Sequence, residues 1–442
     1  MTSLRRVFRD QRGVAAALSL YVLVILSMML MAFLSMAATE PQVSRNHADL
    51  TQARYVAEAG IEWAFDTLVQ TVDWSTPLAA GGTMIAGQTL PGLTAASGTF
   101  TVIARNDTLA GDTQMTGQVA LDPSGSATVD GNGILIVTSS GTVNGVTRQI
   151  QVVIHRLQLP PFPGALNIPG VQADTFLSSN PFQFDGRDYN RNGTFGPAAL
   201  KYGVAVQPGI QANIAPTTYE QNTEGAFNTP PKQSNVMGLD QSAGGFTTGL
   251  ASIAPAPSLN PAVLASFLGQ LAAHPQTRVL QSTMACPMVM TGSGTPTQPT
   301  LTNGCGVNQP INLGTPSDPQ LIYFRGDLDP TSMFTGLRLN GTIQGAGILV
   351  VEDGDFSVNA TNFRWDGIVM VVGRYVGSGF RGGSDSNVYG AFVSEETIWN
   401  EAPGFYEFLN QGASLTIRAS SENLNMVQNM RALHRISSWR EL

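Results

Sequence analysis

The spacing of apolar positions changes character three times along this chain. From Val14 to Ala38 there are 25 consecutive residues without a charge, entered through Gly13 from a segment holding Arg5, Arg6, Arg9 and Arg12. As a helix rising 1.5 Å per residue, that run reaches roughly 37 Å, enough to cross a hydrocarbon core of about 30 Å with some tilt. Apolar residues then recur at three- and four-residue spacing through Ala53, Val56, Ala57, Gly60, Ile61, Ala64, Phe65 and Leu68, with Arg54, Glu58, Glu62 and Asp66 between them. That is the pattern of an amphipathic helix. Together the two stretches predict one helix over residues 14–70, apolar first and amphipathic afterwards. Pro41 sits where the halves meet and predicts a kink, because it cannot donate to the helical ladder. The apolar run is too long for a cleavable secretory signal.

The period then shortens to two. Strands are predicted over Thr99–Arg105, Gly117–Leu121, Gly133–Thr138 and Val146–His155, within a sheet region spanning residues 80–158. Asn144-Gly145 makes the last two a hairpin, and the shared parity of Val146, Ile150, Val152 and Ile154 predicts one buried face. Leu159-Pro160-Pro161-Phe162-Pro163-Gly164 marks a boundary.

A different pattern holds over residues 165–442. Three apolar segments, around Gly345–Glu352, Trp365–Gly373 and Val388–Ser394, resemble one another, with Gly347, Gly367 and Gly390 at matching positions 20 and 23 apart. That interval suits coils of a parallel β-helix, each giving a short apolar strand with polar corners. A sandwich with repeated turn chemistry is the alternative. Leu321–Phe324 and Ser414–Arg418 are further strand candidates. Residues 207–259, rich in Pro, Gly, Asn, Gln and Thr, read as a long surface loop. A short helix is predicted after it, capped by Asn260 with Pro261 at its first position, ending near Ala273. Another is predicted over Glu422–Ala432.

Composition adds an asymmetry of charge. The net charge is -8, and without residues 1–13, which carry +3, it is -11. The arginines are expected to keep the first dozen residues in the cytoplasm and the rest exported. An acidic body gives no electrostatic footprint for nucleic acid. The 47 Gly and 26 Pro, against 12% charged residues, point to a loop-rich exported domain. Cys286 and Cys305 are the only cysteines, and in an oxidising compartment they are expected to form a disulfide.

Gln11-Arg12-Gly13-Val14-Ala15-Ala16-Ala17-Leu18, the apolar run, and Ala53-Arg54-Tyr55-Val56-Ala57-Glu58-Ala59-Gly60-Ile61-Glu62 resemble the N-terminus of type IV pilins. The likeness is to PilX-type minor pilins, and more weakly to the minor pseudopilin K of type II secretion. It is clear over about the first 70 residues and looser in the second half, where Ile436 to Leu442 is similar to the PilX tail, a likeness that implies a final strand there. The resemblance implies an α+β fold in which a long pilin-like helix carries a β-rich ectodomain, with a sheet packed on the helix's amphipathic half. It implies a basic leader over residues 1–13, cut by a prepilin peptidase after Gly13, and methylation of the new N-terminal Val14. Further implied partners are other major and minor pilins and an inner-membrane assembly platform. The implied location is the inner membrane, crossed once, and then a pilus or the cell surface. One residue departs from the family: most pilins have a glutamate where this chain has Leu18, a departure often seen in PilX-type and K-type sequences.

Candidate chemistry is sparse. Asp188, Asn190, Asn192 and Gly193 form the first half of an EF-hand-like calcium loop, with Asp185 just upstream. Oxygen ligands at alternate positions before a glycine suit a hard cation, but Ala199 stands where a bidentate glutamate belongs. An Asx-rich turn is the other reading. Gly377-Ser378-Gly379-Phe380-Arg381-Gly382 matches a dinucleotide fingerprint, yet Gly383-Ser384-Asp385-Ser386-Asn387 cannot open a helix, so a corner between coils is expected. No catalytic constellation is named, and no cofactor is expected unless the calcium loop is real.

The reading is therefore a non-enzymatic minor pilin-like subunit acting in assembly, tip capping or adhesion of a type IV pilus or related secretion filament. Two alternatives make distinguishable demands. A membrane-anchored β-helical enzyme acting on polysaccharide requires convergent carboxylates, with Asp353, Asp355, Asp366 and Asp385 as candidates. A polysaccharide adhesin requires exposed aromatics in a row, such as Trp365 or Trp399.

Overall fold

The computed structural model describes residues 4–442 apart from 91, 93, 95–96, 172–174, 178–181, 207–234, 240–252, 256, 276, 293, 328–335, 375, 384 and 399–406. The chain forms two compact units. One comprises Met1–Thr67, Trp74–Ile154 and Ile436–Leu442; the other comprises Leu68–Asp73 and His155–Arg435. The fold is α+β.

The first unit is built on helix α1 (Leu4–Gln70), which runs without interruption across Gly13 and through Pro41. After a short helix α2 (Ser75–Ala79) come β1 (Thr83–Thr89), β2 (Thr99–Asn106), α3 (Asp112–Thr116), β3 (Ile134–Val143) and β4 (Val146–Arg156). These four strands and the last one, β22 (His434–Glu441), form a five-stranded sheet in the order β1-β2-β3-β4-β22. Asn144 and Gly145 take φ of 51° and 81° at the β3–β4 turn, the left-handed pair that the hairpin requires. The predicted strand over residues 117–121 does not form. β2 is paired on both sides, antiparallel to β1 and β3, so the segment cannot lie beside it. The chain instead makes α3 between two left-handed glycines, Gly111 and Gly117. Asp112 there accepts from both terminal nitrogens of Arg105, at 2.7 and 2.8 Å.

The second unit is a parallel β-solenoid, so the sandwich alternative is set aside. Its early strands are β5 (Gly164–Ile168), β6 (Thr175–Leu177), β7 (Phe182–Asp185), β8 (Tyr202–Val206), β9 (Val236–Met237) and β10 (Ile253–Pro255). Helix α4 (Pro261–Ala273) follows, with the Asn260 side chain accepting from the Val263 amide, as the sequence predicts. Then come β11 (Val279–Gln281), β12 (Met288–Gly292), β13 (Thr300–Thr302), β14 (Asn308–Pro310), β15 (Gln320–Arg325), β16 (Leu337–Glu352) and β17 (Phe356–Gly373). The last coils hold β18 (Ser378–Arg381), β19 (Asp385–Glu396), β20 (Phe408–Gln411), β21 (Ser414–Ala419) and helix α5 (Ser421–Gln428).

The coil repeat read from the glycines is the true register: Gly347 pairs with Gly367, and Gly367 with Gly390. All three hold positive φ, of 119°, 140° and 145°. A Cβ on Gly367 would lie 2.1 Å from the Gly347 carbonyl oxygen, so the ladder admits nothing larger there. Inside the coils, Phe356, Phe380 and Phe408 stack at 6.2 and 5.7 Å between ring centroids, and Phe184 continues the column 5.6 Å beyond Phe408. Outside one face, α4 buries Leu264, Phe267, Leu268 and Leu271 in one cluster with Ile348, Val350, Ile368 and Met370. Cys286 and Cys305 form a disulfide around the β12–β13 hairpin.

Strand order along that face is β11-β15-β16-β17-β19-β5-β8-β10. The coils laid down first in the sequence therefore stack on those laid down last. α4, about 20 Å long by its 13 residues, carries the chain back along the outside from one end of the stack toward the other.

Candidate functional site

The most unusual surface of the molecule is the first half of α1. Sixteen large apolar side chains between Val14 and Met36 are exposed, among them Val14 at 63%, Leu18 at 62% and Leu30 at 63%. At about 1.5–3 kcal/mol for each such side chain moved out of water, their burial is worth on the order of 30 kcal/mol. By length and composition this is one helix apolar enough to cross a membrane. Ser19 and Ser27 return their hydroxyls to the carbonyls of Ala16 and Leu23, at 2.9 and 2.7 Å, so neither presents an unmet donor sideways.

The second half of the same helix is used differently. Ala53, Val56, Ala57, Ile61, Ala64 and Phe65 are buried. Contact with the sheet is close because of two glycines. A Cβ on Gly60 would come 2.2 Å from Ser139 Oγ, and one on Gly141 would come 2.2 Å from the Ala53 carbonyl oxygen. Asn144 donates to Asp49 at 2.9 Å, and the Arg54 guanidinium lies 5.5 Å from the centre of the Trp439 ring. One side of α1 is thus fixed to its own sheet from about residue 50, while residues 14–36 leave every side chain open.

The candidate calcium loop is an internal clasp. Asp185 is fully buried, and both of its oxygens accept from Arg187, which approaches to 2.6 Å, with Tyr189 donating at 2.8 Å. Asp188 accepts from the Ser421 amide at 2.7 Å, the Ser421 hydroxyl at 2.8 Å and the Ala198 amide at 2.9 Å. Asn190 donates to Thr194, and Asn192 accepts from the Thr194 amide and hydroxyl. A cation would have to displace Arg187 and the start of α5. No group of three or more His, Cys, Asp or Glu among the described residues is arranged to hold a metal.

Of the four candidate carboxylates, Asp366 and Asp385 lie at different register positions. Asp366 lies level with Ala346 and Tyr389 and pairs with Arg364 at 3.2 Å, whereas Asp385 lies level with Asn362 and Ser414. Asp353 and Asp355 sit at another corner and accept the amides of Arg374 and Gly377 on the next coil. Burial pushes Asp355 up to about 7, and it does the same to Glu395, which is 2% exposed on β19. Trp365 is fully buried, its indole donating to the Gly347 carbonyl at 3.2 Å, and so is no part of an exposed aromatic row. Trp399 lies outside the described residues. The segment Gly377 to Gly382 is β18 and a corner at which Gly382 and Gly383 both take φ of 53°, with no helix after it.

No protein-family model matches the chain, and no curated protein matches it. Among solved structures it is similar to the competence-associated pilin ComZ from Thermus thermophilus, at 10% identity and a TM-score of 0.24, over 89% of this chain and 97% of that one. A correspondence of that size carries no argument about fold or role.

Proposed function

We propose that this chain is a minor pilin-like structural subunit of a type IV pilus or related secretion filament, acting in assembly, tip capping or adhesion rather than in catalysis. The observation that carries the reading is the division of α1. Its first half exposes a continuous apolar surface that water disfavours by tens of kcal/mol, while its second half is locked onto a sheet of the same unit. Such a helix suits two apolar surroundings in turn, a bilayer before assembly and a bundle of similar helices afterwards. The arginines before Gly13 favour a cytoplasmic N-terminus and an exported ectodomain.

In this reading a prepilin peptidase cuts after Gly13, Val14 becomes the methylated N-terminus, and other pilins and an inner-membrane platform are the partners. The PilX-type assignment rests on the sequence resemblance, with Leu18 in place of the usual glutamate. The test is N-terminal mass spectrometry of the protein from cells with and without their prepilin peptidase. A chain beginning at methylated Val14 only when the peptidase is present supports the reading. An intact leader in both strains would overturn it.

A further inference from the structure

Between Arg278 and Asp318 no residue carries a charge: Val279 to Ser317 is a run of 39 residues without Asp, Glu, Lys, Arg or His. That run holds β11, β12, β13 and β14, the strands at one end of the solenoid. Exposed strand edges are commonly guarded by charged side chains, because bare backbone donors and acceptors invite another strand. Here the guard has to be of another kind.

Beyond β16 the three faces of the solenoid stop at different heights. β12 lies on residues 337–341, β15 and then β11 lie on residues 347–352, and no strand lies on residues 342–346 between them. The segment 294–313 fills this step. β13 covers the outer edge of β12, and the Pro296 and Leu313 carbonyls accept the amides of Gln344 and Ala346 at 2.9 and 3.0 Å. Leu301 and Leu313 are buried in the core. Outermost is β14, three exposed residues ending in Pro310, which has no N–H to offer a further strand. Cys305 in the β13–β14 turn is bonded to Cys286 just before β12, so the segment is tied down at its turn.

We propose that residues 294–313 are a redox-locked cap over an edge at which two copies of this chain join when it is bared, and that the Cys286–Cys305 bond is the lock. The occupant is a second copy because the uncapped end complements itself. A twofold axis normal to the β12 face sets β12 antiparallel to the second copy's β12 and exchanges the other two faces. The face that one copy builds up by two strands then meets the face that the other leaves empty. No like charges meet, since β11, β12 and residues 341–351 carry none. Reduction by a dithiol moves two electrons into the S–S bond: the reagent closes its own disulfide, and each cysteine takes up a proton as a thiol. The inference stands whether or not the chain enters a filament.

Light scattering after gel filtration of the detergent-solubilised full chain tests it, with dithiothreitol as the probe. Relative to the oxidised protein, reduction should double the protein mass per particle as concentration rises. Amides of β13 and β14 should exchange with deuterium about tenfold faster or more, with β17 unchanged. The Cys286→Ser, Cys305→Ser protein should behave like the reduced one. Thr291 is exposed on β12, so adding Thr291→Lys to that protein puts a charge on the bared edge and should return the mass to that of the oxidised protein. Association through α1 is common to both redox states and does not mimic the result. A reduced protein that keeps the oxidised mass overturns the proposal, as does association that Thr291→Lys leaves intact. If the substituted chain does not fold, the oxidised and reduced forms of the unsubstituted chain still decide.

Discussion

Replacing Gly367 by alanine should cripple the solenoid, and the cost comes from two local facts. The backbone there holds φ of +140°, a region a residue with a Cβ occupies at about 1–3 kcal/mol. The new Cβ would also stand 2.1 Å from the Gly347 carbonyl oxygen, against the 3.0 Å or more that real contacts keep. Relief requires β16 and β17 to part by close to an ångström, and overpacking of that kind costs about 1–3 kcal/mol more. The expected loss is roughly 2–6 kcal/mol, a large part of a typical domain's 5–15. Gly379→Ala is the control: its nearest neighbour would be 3.7 Å away and its φ is not left-handed, so a change within about 0.5 kcal/mol is expected. Urea unfolding of the detergent-solubilised protein, followed by tryptophan fluorescence, measures both. If Gly367→Ala loses less than about 1 kcal/mol, or no more than Gly379→Ala, the stacked-glycine account of the coil register is wrong.

Buried groups and the disulfide give three further expected outcomes. Glu395 is held neutral by burial up to about pH 7, so the folded state binds its proton more tightly than the unfolded chain does. The cost is therefore full above pH 7 and fades as pH falls toward the ordinary glutamate range, and Glu395→Gln should stabilise by about 3 kcal/mol at pH 8 with no gain near pH 4.5. Equal gains at both pH values would refute that reasoning. His155 and His434 show the opposite sign: burial pushes both down to about 4, so stability is complete above the ordinary histidine range and falls as pH drops from about 6.5 toward 4. Acid unfolding should accordingly move to lower pH in His155→Gln, and no movement would count against a buried neutral ring. Reducing the Cys286–Cys305 bond, which closes a loop over a separation of 19, should cost about 3 kcal/mol, read as a lower unfolding midpoint with reductant.

What the sequence disclosed depended on whether the signal was local. The helix pattern through Phe65 and Leu68 is a local period, and so is the Asn144-Gly145 turn; both appear where expected. Asn260 and Pro261 mark the start of α4 because a cap and a first-turn proline act within three residues. The 20- and 23-residue glycine spacings even set the register of β16, β17 and β19, since coils stack at a nearly constant chain interval. Pairing between distant segments leaves no such trace. Nothing near Leu166 announces that it lies beside Phe392, and nothing near Asp188 announces Ser421. For the same reason the short run at residues 117–121 reads as a strand from its composition, although it joins neither side of β2. Trp365 misleads similarly: only the absence of a side chain at Gly345, where a Cβ would meet the indole at 2.2 Å, reveals that the ring points inward.

The proposed role places the exposed apolar half of α1 among other pilin-type helices. A photo-crosslinking residue placed at Leu30, which is 63% exposed, tests it most directly in cells that assemble filaments. The expected result is protein in the sheared filament fraction, crosslinked through that position to a pilin-type subunit. A protein confined to the membrane fraction, with no protein crosslink at Leu30, would contradict it.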